Sequence, residues 1–292
     1  MGMFMRIGLF LITNLAIMLL VGTVLKILGL QAHSVGGIVV MALIVGMGGS
    51  FISLAMSKWL AKKSVGAEVI ENPSNPTEKW LVETVRRQAT AAGIGMPEVA
   101  IYDAPEMNAF ATGMTKNSSL VAVSTGLLSG MNQDEVEAVL AHEISHISNG
   151  DMVTMALIQG ILNTFVIILA RVVGTIVDNA MRSSNDESSA PGIGYYIASF
   201  VAELVFGVLA SIIVMWFSRQ REFRADAGAA RLENPQKMIK ALQRLQQAHI
   251  APLPDSMRAF GIAQGESVGF FQKMFMTHPP LEERIAALQN MR

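Results

Sequence analysis

Four long apolar segments constrain this chain more than any other feature of its sequence. They cover about residues 7–28, 37–56, 152–177 and 193–217. A helix needs about 20 apolar residues to cross the hydrocarbon core of a bilayer, and each segment reaches that length. Hydrophobic residues make up 51% of the chain and charged residues only 15%, unlike the composition of soluble domains. The sequence therefore predicts an α-helical integral membrane protein with four transmembrane helices.

Lysine and arginine lie at one end of these segments. They are Arg6 before the first segment, Lys58, Lys62 and Lys63 after the second, and Arg219, Arg221 and Arg224 after the fourth. The loop 29–36 has no lysine or arginine, and the loop 178–192 has only Arg182. Because basic residues near span ends stay on the cytoplasmic side, both termini are predicted to be cytoplasmic. The first segment is too long for a cleaved signal peptide and is predicted to be retained.

Two hydrophilic blocks separate the spans into pairs. Residues 1–57 hold the first two spans and 152–217 the last two, so the blocks are 58–151 and 218–292. Neither block resembles a complete domain, but together they suffice for one compact cytoplasmic domain built from two halves. The serine-rich stretch 183–189 is predicted to be a flexible loop outside the membrane that the chemistry does not need.

Composition also excludes several classes of function. The net charge is −1 with no basic block, so no nucleic-acid partner is expected. The chain has no glycine-rich phosphate loop, so no nucleotide is expected. It contains no cysteine, which excludes disulfides and thiolate metal sites. Any metal site must therefore use histidine, aspartate or glutamate.

The segment His142-Glu143-Ile144-Ser145-His146 is an H-E-x-x-H motif ahead of the third span. Histidines four residues apart lie on one face of a helix, where both imidazoles can bind one Zn²⁺. Glu143 between them is in position to activate a water molecule. The motif therefore predicts a zinc site with Glu143 as a general base.

The helix that carries this motif has a clear start and end. Asn132 and Glu135 form a predicted capping box, and Asn149-Gly150-Asp151 is predicted to end the helix. One face is an apolar stripe, formed by Val136, Leu140, Ile144 and Ile147. The histidines lie roughly opposite, so the helix can pack on a core and still present its other face to a metal.

A catalytic zinc ion usually takes a third protein ligand, which must come from elsewhere in the chain. Glu222 and Asp226 are four residues apart on a predicted helix after the fourth span. Glu222 is a candidate ligand, and Asp226 a candidate hydrogen-bond partner for a histidine ligand. The same run is also typical of a solvated, charge-rich helix beside the membrane. Local sequence leaves both interpretations open.

The order of these motifs resembles a known family. His142-Glu143-x-x-His146 and Glu222-x-x-x-Asp226, separated by a membrane hairpin, are similar to the HtpX heat-shock membrane metalloproteases. These are gluzincin-type zinc proteases related to the CaaX prenyl endopeptidases. Three further segments match: Asn108-Ala109-Phe110-Ala111-Thr112-Gly113, the Ser-Arg-x-x-Glu run from Ser218, and Thr277-His278-Pro279-Pro280-Leu281. The resemblance covers essentially the whole chain.

The resemblance implies a fold and a site. The cytoplasmic domain would be a gluzincin-like, mainly α (α+β) metalloprotease domain with a small sheet. One Zn²⁺ per chain would be held by His142, His146 and Glu222, with Asp226 supporting a ligand and Glu143 as catalytic base. The implied activity is hydrolysis of peptide bonds in unfolded, misfolded or damaged membrane proteins. It would occur without ATP at the cytoplasmic face of the bacterial inner membrane, as stress-response quality control in contact with the lipid bilayer.

Two further residues are candidates for contact with the substrate or the transition state. His278 is a candidate oxyanion donor, although its prolines also suit a surface turn before a C-terminal helix. Asn108 resembles the family's cleft-lining segment but also fits an ordinary loop. Residues 98–102 and 119–124 are predicted strands, and an edge strand can hold an extended substrate by backbone pairing.

Alternatives remain at the level of the whole protein. One is a non-catalytic zinc-binding membrane scaffold, and another is an intramembrane-cleaving zinc protease, which the charges flanking the motif disfavour. Within the spans, Arg171 and Glu203 can form a structural pair or a proton relay, and the structural pair is favoured. The stretch Leu253 to Gln272 is a candidate cover for the cleft.

Overall fold

The computed structural model describes residues 34–181, 191–250 and 278–291, together with positions 23, 26, 27 and 276. The loop 183–189 and the candidate cover 253–272 lie outside the described residues. So does the first predicted span, 7–28, apart from three positions. The chain divides into two compact units, one formed by residues 1–53 and 156–213 and the other by residues 54–155 and 214–292.

Among the described residues, three helical stretches are long and apolar enough to cross a membrane. The first contains α1 (Val35–Leu43), a π-helical turn (Ile44–Gly48) and α2 (Gly49–Val65), the second is α6 (Asp151–Met181), and the third is α7 (Ile193–Leu232). They contain the predicted second, third and fourth spans. Helix α7 continues through Glu222 and Asp226, so the fourth span and the predicted ligand helix are one element.

Small residues and polar side chains join the helices of the first unit. The hydroxyl of Thr164 donates to the Ala42 carbonyl at 3.2 Å, and a methyl group at Gly46 would overlap Thr164. Such small residues let helix backbones approach closely within a membrane. Arg171 Nη1 lies 3.6 Å from Glu203 Oε2, so the two intramembrane charges considered from the sequence do pair.

The second unit contains a four-stranded mixed sheet. Its strands are β1 (Glu68–Val69), β2 (Glu98–Tyr102), β3 (Ala109–Thr115) and β4 (Ser118–Ser124), in the order β1-β2-β4-β3. Strands β2 and β4 are parallel, and the other two pairs are antiparallel. The predicted strands 98–102 and 119–124 are confirmed. Strand β3 was not predicted, because its two alanines and its glycine weaken the strand signal of its phenylalanine and threonines.

Among the described residues, five further helices belong to this unit, one of which carries the H-E-x-x-H segment. They are α3 (Pro76–Ala91), α4 (Thr125–Gly130), α5 (Gln133–Asn149), α8 (Pro235–Ile250) and α9 (Leu281–Gln289). Helix α5 is the central one, and its predicted apolar stripe is buried in the main core. The predicted capping box is present: Asn132 Oδ1 accepts from Glu135 N–H at 3.0 Å, and Glu135 Oε2 accepts from Asn132 N–H at 3.0 Å.

Ion pairs tie α5 to the helices packed beside it. Lys237 of α8 lies 2.6 Å from Glu137 and 2.8 Å from Asp134, both on α5. Arg87 of α3 lies 2.8 Å from Glu233, two residues before the start of α8. Arg87 also lies 3.5 Å from Glu137, so α3 and α8 both form ion pairs with α5.

Candidate metal centre

Three side chains from two helices meet at one point in the second unit. His142 and His146 of α5 lie with their Nε2 atoms 3.1 Å apart. Glu222 of α7 places Oε2 at 3.5 Å from His142 Nε2 and Oε1 at 3.5 Å from His146 Nε2. All three side chains are buried, Glu222 most completely, at 1% exposure. One ligand atom from each residue lies within 4.8 Å of the others, the spacing of a metal site.

The remaining histidine nitrogens show that this point suits a zinc ion. His142 Nδ1 lies 2.9 Å from Asp226 Oδ1, and His146 Nδ1 lies 2.6 Å from Asp151 Oδ2. At His146 the contact is a hydrogen bond, which holds the proton on Nδ1 and leaves the Nε2 lone pair for a metal. Glu222 Oε1 is buried without a hydrogen-bond partner among the described residues. Two imidazoles and one carboxylate form a ligand set that catalytic zinc uses.

Each of the two aspartates also contacts an arginine side chain. Arg284 of α9 donates to both oxygens of Asp226, at 2.8 and 2.6 Å, and it is buried at 6% exposure. Arg224 of α7 lies 3.6 Å from Asp151 Oδ1. The sequence signalled neither Arg284 nor the role of Asp151. Arg284 belongs to an ordinary amphipathic pattern, and Asp151 was interpreted only as part of the helix end.

The buried charges shift the pKa values of the site. Burial alone lowers the pKa of His146, but the carboxylates of Asp151 and Glu222 outweigh it and raise that pKa to about 9. The pKa of His142 is also raised. Burial lowers it, but the carboxylates of Asp226 and Glu222 raise it by more. Burial raises the pKa of Glu222, yet the imidazoles of His142, His146 and His278 hold it well below its usual range. The site therefore strongly favours a cation between these groups.

Glu143, His278 and Asn108 line one cavity together with His142 and Glu222. Glu143 is 9% exposed there, and no hydrogen bond to another described residue ties its carboxylate. His278 Nδ1 lies 2.9 Å from Glu222 Oε2, and its side chain is 58% exposed. Asn108, directly before β3, lines the same cavity, and its carbonyl accepts a hydrogen bond from Ser124 N–H at 2.9 Å. All seven site residues predicted from the sequence are thus in one region of the second unit.

A family model agrees with this arrangement of motifs and ligands. The model described as peptidase family M48 matches residues 75–292, which include both histidines and Glu222. The chain belongs to peptidase family M48. It is therefore a zinc metalloprotease, and His142, His146 and Glu222 form the zinc site typical of M48 peptidases.

Bacterial relatives extend the match to the full chain of this M48 peptidase. Protease HtpX of Xanthomonas oryzae pv. oryzae is 60% identical over 288 residues, covering 98% of both chains. Protease HtpX of Stenotrophomonas maltophilia is 61% identical over 288 residues with the same coverage. The resemblance to the HtpX metalloproteases drawn from the sequence is confirmed, and the chain is a multi-pass membrane protein.

A solved structure shares the fold of this M48 peptidase. The crystal structure of S. mikatae Ste24p aligns with a TM-score of 0.69 at 17% identity. The alignment covers 97% of this chain and 64% of that chain. At this identity the likeness concerns the fold alone. The individual roles of Glu143, Asp226, His278 and Asn108 stay predictions.

Proposed function

We propose that this M48 peptidase is an endopeptidase that hydrolyses misfolded or damaged membrane proteins at the cytoplasmic face of the bacterial inner membrane. One observation carries the proposal: Glu143 lines the same cavity as the zinc ligands His142 and Glu222. A base beside a metal site is the arrangement needed to hydrolyse an amide bond. A zinc-binding scaffold has no need for this carboxylate.

Each group has a separate task in the proposed reaction. Zinc, when bound, supplies Lewis acidity that polarises the scissile carbonyl and lowers the pKa of water. Glu143 accepts the proton of the attacking water and later delivers it to the leaving amine. Its carboxylate has no hydrogen bond to another described residue, so it is available to water. Asp226 holds His142 through Nδ1, at 2.9 Å, and keeps its Nε2 directed at the ligand point.

His278 is the proposed donor to the oxyanion of the tetrahedral intermediate. It lies at the edge of the cavity, within 2.9 Å of Glu222, and its side chain is 58% exposed. A donor in that position is near the ligand point and still open to a substrate. Stabilising the oxyanion there lowers the barrier to the attack of water.

Strand β3 is the proposed docking edge for the substrate backbone. In the order β1-β2-β4-β3 it is outermost, so one of its edges carries no described strand. Asn108 and Ala109, at its start, line the cavity of the zinc site. An extended polypeptide paired with β3 would therefore enter the site by main-chain hydrogen bonds, which discriminate little between sequences. This suits a protease that removes many different damaged proteins.

The proposed location follows from the helices and the basic residues. Glu222 lies five residues after the predicted end of the fourth span, at 217, in one uninterrupted helix, or roughly 7.5 Å along its axis. The basic residues after the second and fourth spans favour a cytoplasmic position for this helix end. The catalytic domain is then formed by residues 58–151 and 218–292. Each of these blocks follows one of the proposed membrane segments, 1–57 and 152–217. Four transmembrane helices and a gluzincin-like domain belong to this proposal.

The test is cleavage of a membrane protein by the full-length enzyme in proteoliposomes. The substrate carries a destabilised cytoplasmic loop, and no nucleotide is added. We expect cleavage with zinc, none after chelation, and loss of cleavage in Glu143→Gln with zinc still bound. Glu83→Gln, a change at an exposed carboxylate of α3, serves as the control and keeps activity.

The same experiment separates the proposal from its two alternatives. Zinc binding without any cleavage would favour the zinc-binding scaffold, and wild-type cleavage by Glu143→Gln would make Glu143 dispensable. Products cut inside the apolar spans of the substrate, identified by mass spectrometry, would favour an intramembrane protease. Products cut in the loop support the proposal.

A further inference from the structure

We infer that Asp151 is a positioning residue of the zinc site, which fixes the ring and the tautomer of His146. The inference rests on the zinc site of the proposed function, but it concerns metal binding and not the cleavage step. Asp151 is not part of the H-E-x-x-H or Glu222-x-x-x-Asp226 motifs. It is nevertheless among the most buried charged residues of the described chain, at 1% exposure.

The first argument is the contact itself. Asp151 Oδ2 lies 2.6 Å from His146 Nδ1, a short distance typical of a charge-assisted hydrogen bond. A neutral imidazole has one N–H, and this contact holds it on Nδ1. The other nitrogen, Nε2, then points its lone pair toward Glu222 Oε1, 3.5 Å away. Without the carboxylate, the ring of His146 has no described partner at Nδ1 to select this tautomer.

The second argument is the turn that brings Asp151 to the histidine. Asp151 follows His146 by five residues, and on a continuous helix it would be rotated by about 140° away from it. Gly150 ends α5 with a left-handed conformation, φ 70° and ψ 31°, and α6 begins at Asp151. A Cβ at Gly150 would meet no atom within 4 Å, so glycine is needed for its backbone angles and not for space. The turn directs the Asp151 carboxylate back at His146.

The third argument is the symmetry of the site. His142 is contacted by Asp226, which Arg284 holds from the other side. His146 is contacted by Asp151, whose second oxygen lies 3.6 Å from Arg224 Nη2. Each histidine ligand thus has its own aspartate, and each aspartate its own arginine. Arg224 is 60% exposed, so its contribution is smaller than that of Asp151.

If Asp151 had a purely structural role, its charge would stabilise the start of α6 and would not affect the zinc site. Asp151 lies in the first turn of α6, where a negative charge stabilises the helix start. Asp134 also lies in the first turn of its helix, α5, but it is exposed, pairs with Lys237 and does not contact a metal ligand. Asp134→Asn is therefore the matched control, because it removes a helix-terminal charge and leaves the zinc site intact.

The experiment measures zinc affinity of the full-length protein in detergent by competition with a chromophoric chelator. Asp151→Asn and Asp151→Ala are expected to bind zinc about 10- to 100-fold more weakly, the usual loss when such a partner is removed. Asp134→Asn is expected to bind as the wild type does. The visible spectrum of the Co²⁺-substituted protein should change in the Asp151 variants only, because the geometry at His146 relaxes. Excess zinc should restore cleavage in Asp151→Asn, but not in Glu143→Gln.

Wild-type zinc affinity together with an unchanged cobalt spectrum in Asp151→Asn would overturn the inference. An equal loss in Asp134→Asn would also overturn it, since helix-terminal charge would then be the cause. If Asp151→Ala does not fold, the nearly isosteric Asp151→Asn decides alone. A wild-type protein that binds zinc but cleaves nothing contradicts the proposed function and leaves this inference intact.

Discussion

Gly228 of α7 lies directly against Ser145 of α5, and a Cβ at Gly228 would be 2.7 Å from the Ser145 Cβ. The two residues mark the place where the ligand-bearing helices touch. Ser145 stands between the two histidine ligands, and Gly228 lies six residues after Glu222. Their small size therefore controls the distance between Glu222 and the histidine pair.

Gly228→Ala should destabilise the protein by about 1–3 kcal/mol, because the added methyl group overpacks this crossing. It should also weaken zinc binding, since Glu222 moves away from the histidines. Ser145→Gly removes the opposing side chain and should restore zinc affinity in the double variant. Gly207→Ala is the control, because Gly207 is on the same helix and a Cβ there would meet no atom within 4 Å. Thermal unfolding and zinc titration measure both effects, and equal losses for the two glycine variants would contradict the prediction.

Arg284→Ala should be strongly destabilising, because it leaves the Asp226 carboxylate buried without its bidentate partner. Removing one member of a buried ion pair usually costs about 3–5 kcal/mol. Arg284→Lys should recover only part of the loss, since lysine cannot donate to both oxygens in the same planar arrangement. Arg86→Ala is the control, because Arg86 and Glu83 are both exposed. The free energy of unfolding should change by less than about 1 kcal/mol there, and a similar loss at both arginines would refute the argument.

His278→Ala should lower kcat by about 10²- to 10³-fold with little change in KM or zinc affinity, as expected for loss of an oxyanion donor. His278→Gln keeps a donor and should lose less. Steady-state kinetics on a peptide substrate separate the two parameters. If His278→Ala raises KM and leaves kcat unchanged, His278 contributes to substrate binding and not to the transition state.

Glu203→Gln should keep folding and proteolysis, because the Arg171–Glu203 pair belongs to the first unit and is best explained as a structural contact. The two groups lie 3.6 Å apart, and the Glu203 side chain is 44% exposed. The substitution keeps a polar partner for Arg171. Proteolysis in liposomes with and without a pH gradient checks this expectation. A gradient-dependent loss of activity would favour a proton relay instead.

The elements that the sequence predicted well are those with strong local signals. The capping box of Asn132 and Glu135, the apolar stripe of α5 and the three described spans all depend on residues close in sequence. Strands β2 and β4 were also recognisable from their valine and isoleucine content. Each of these features depends on the hydrogen bonds or the burial of residues within a single helix or strand.

The parts that could not be predicted depend on contacts between distant elements. Strand β3 exists because β4 pairs with it, although its two alanines and its glycine weaken its strand propensity. Arg284 is buried because Asp226, 58 residues earlier, binds both ends of its guanidinium. Asp151 faces His146 only because Gly150 adopts a left-handed conformation, which the sequence cannot distinguish from an ordinary helix end. A motif therefore predicts the metal ligands, whereas the groups that orient them emerge from the fold.

Zinc affinity should rise with pH between about 6 and 9. In the metal-free protein the pKa of His146 is raised to about 9, and that of His142 is also raised. Below these pKa values the rings carry protons that zinc must displace, so protons compete with the metal. Each displaced proton changes the apparent affinity by up to about tenfold per pH unit. Zinc titrations across this range, with an indicator that reports proton release, test the prediction, and a constant affinity without proton release would show that the histidines are already neutral.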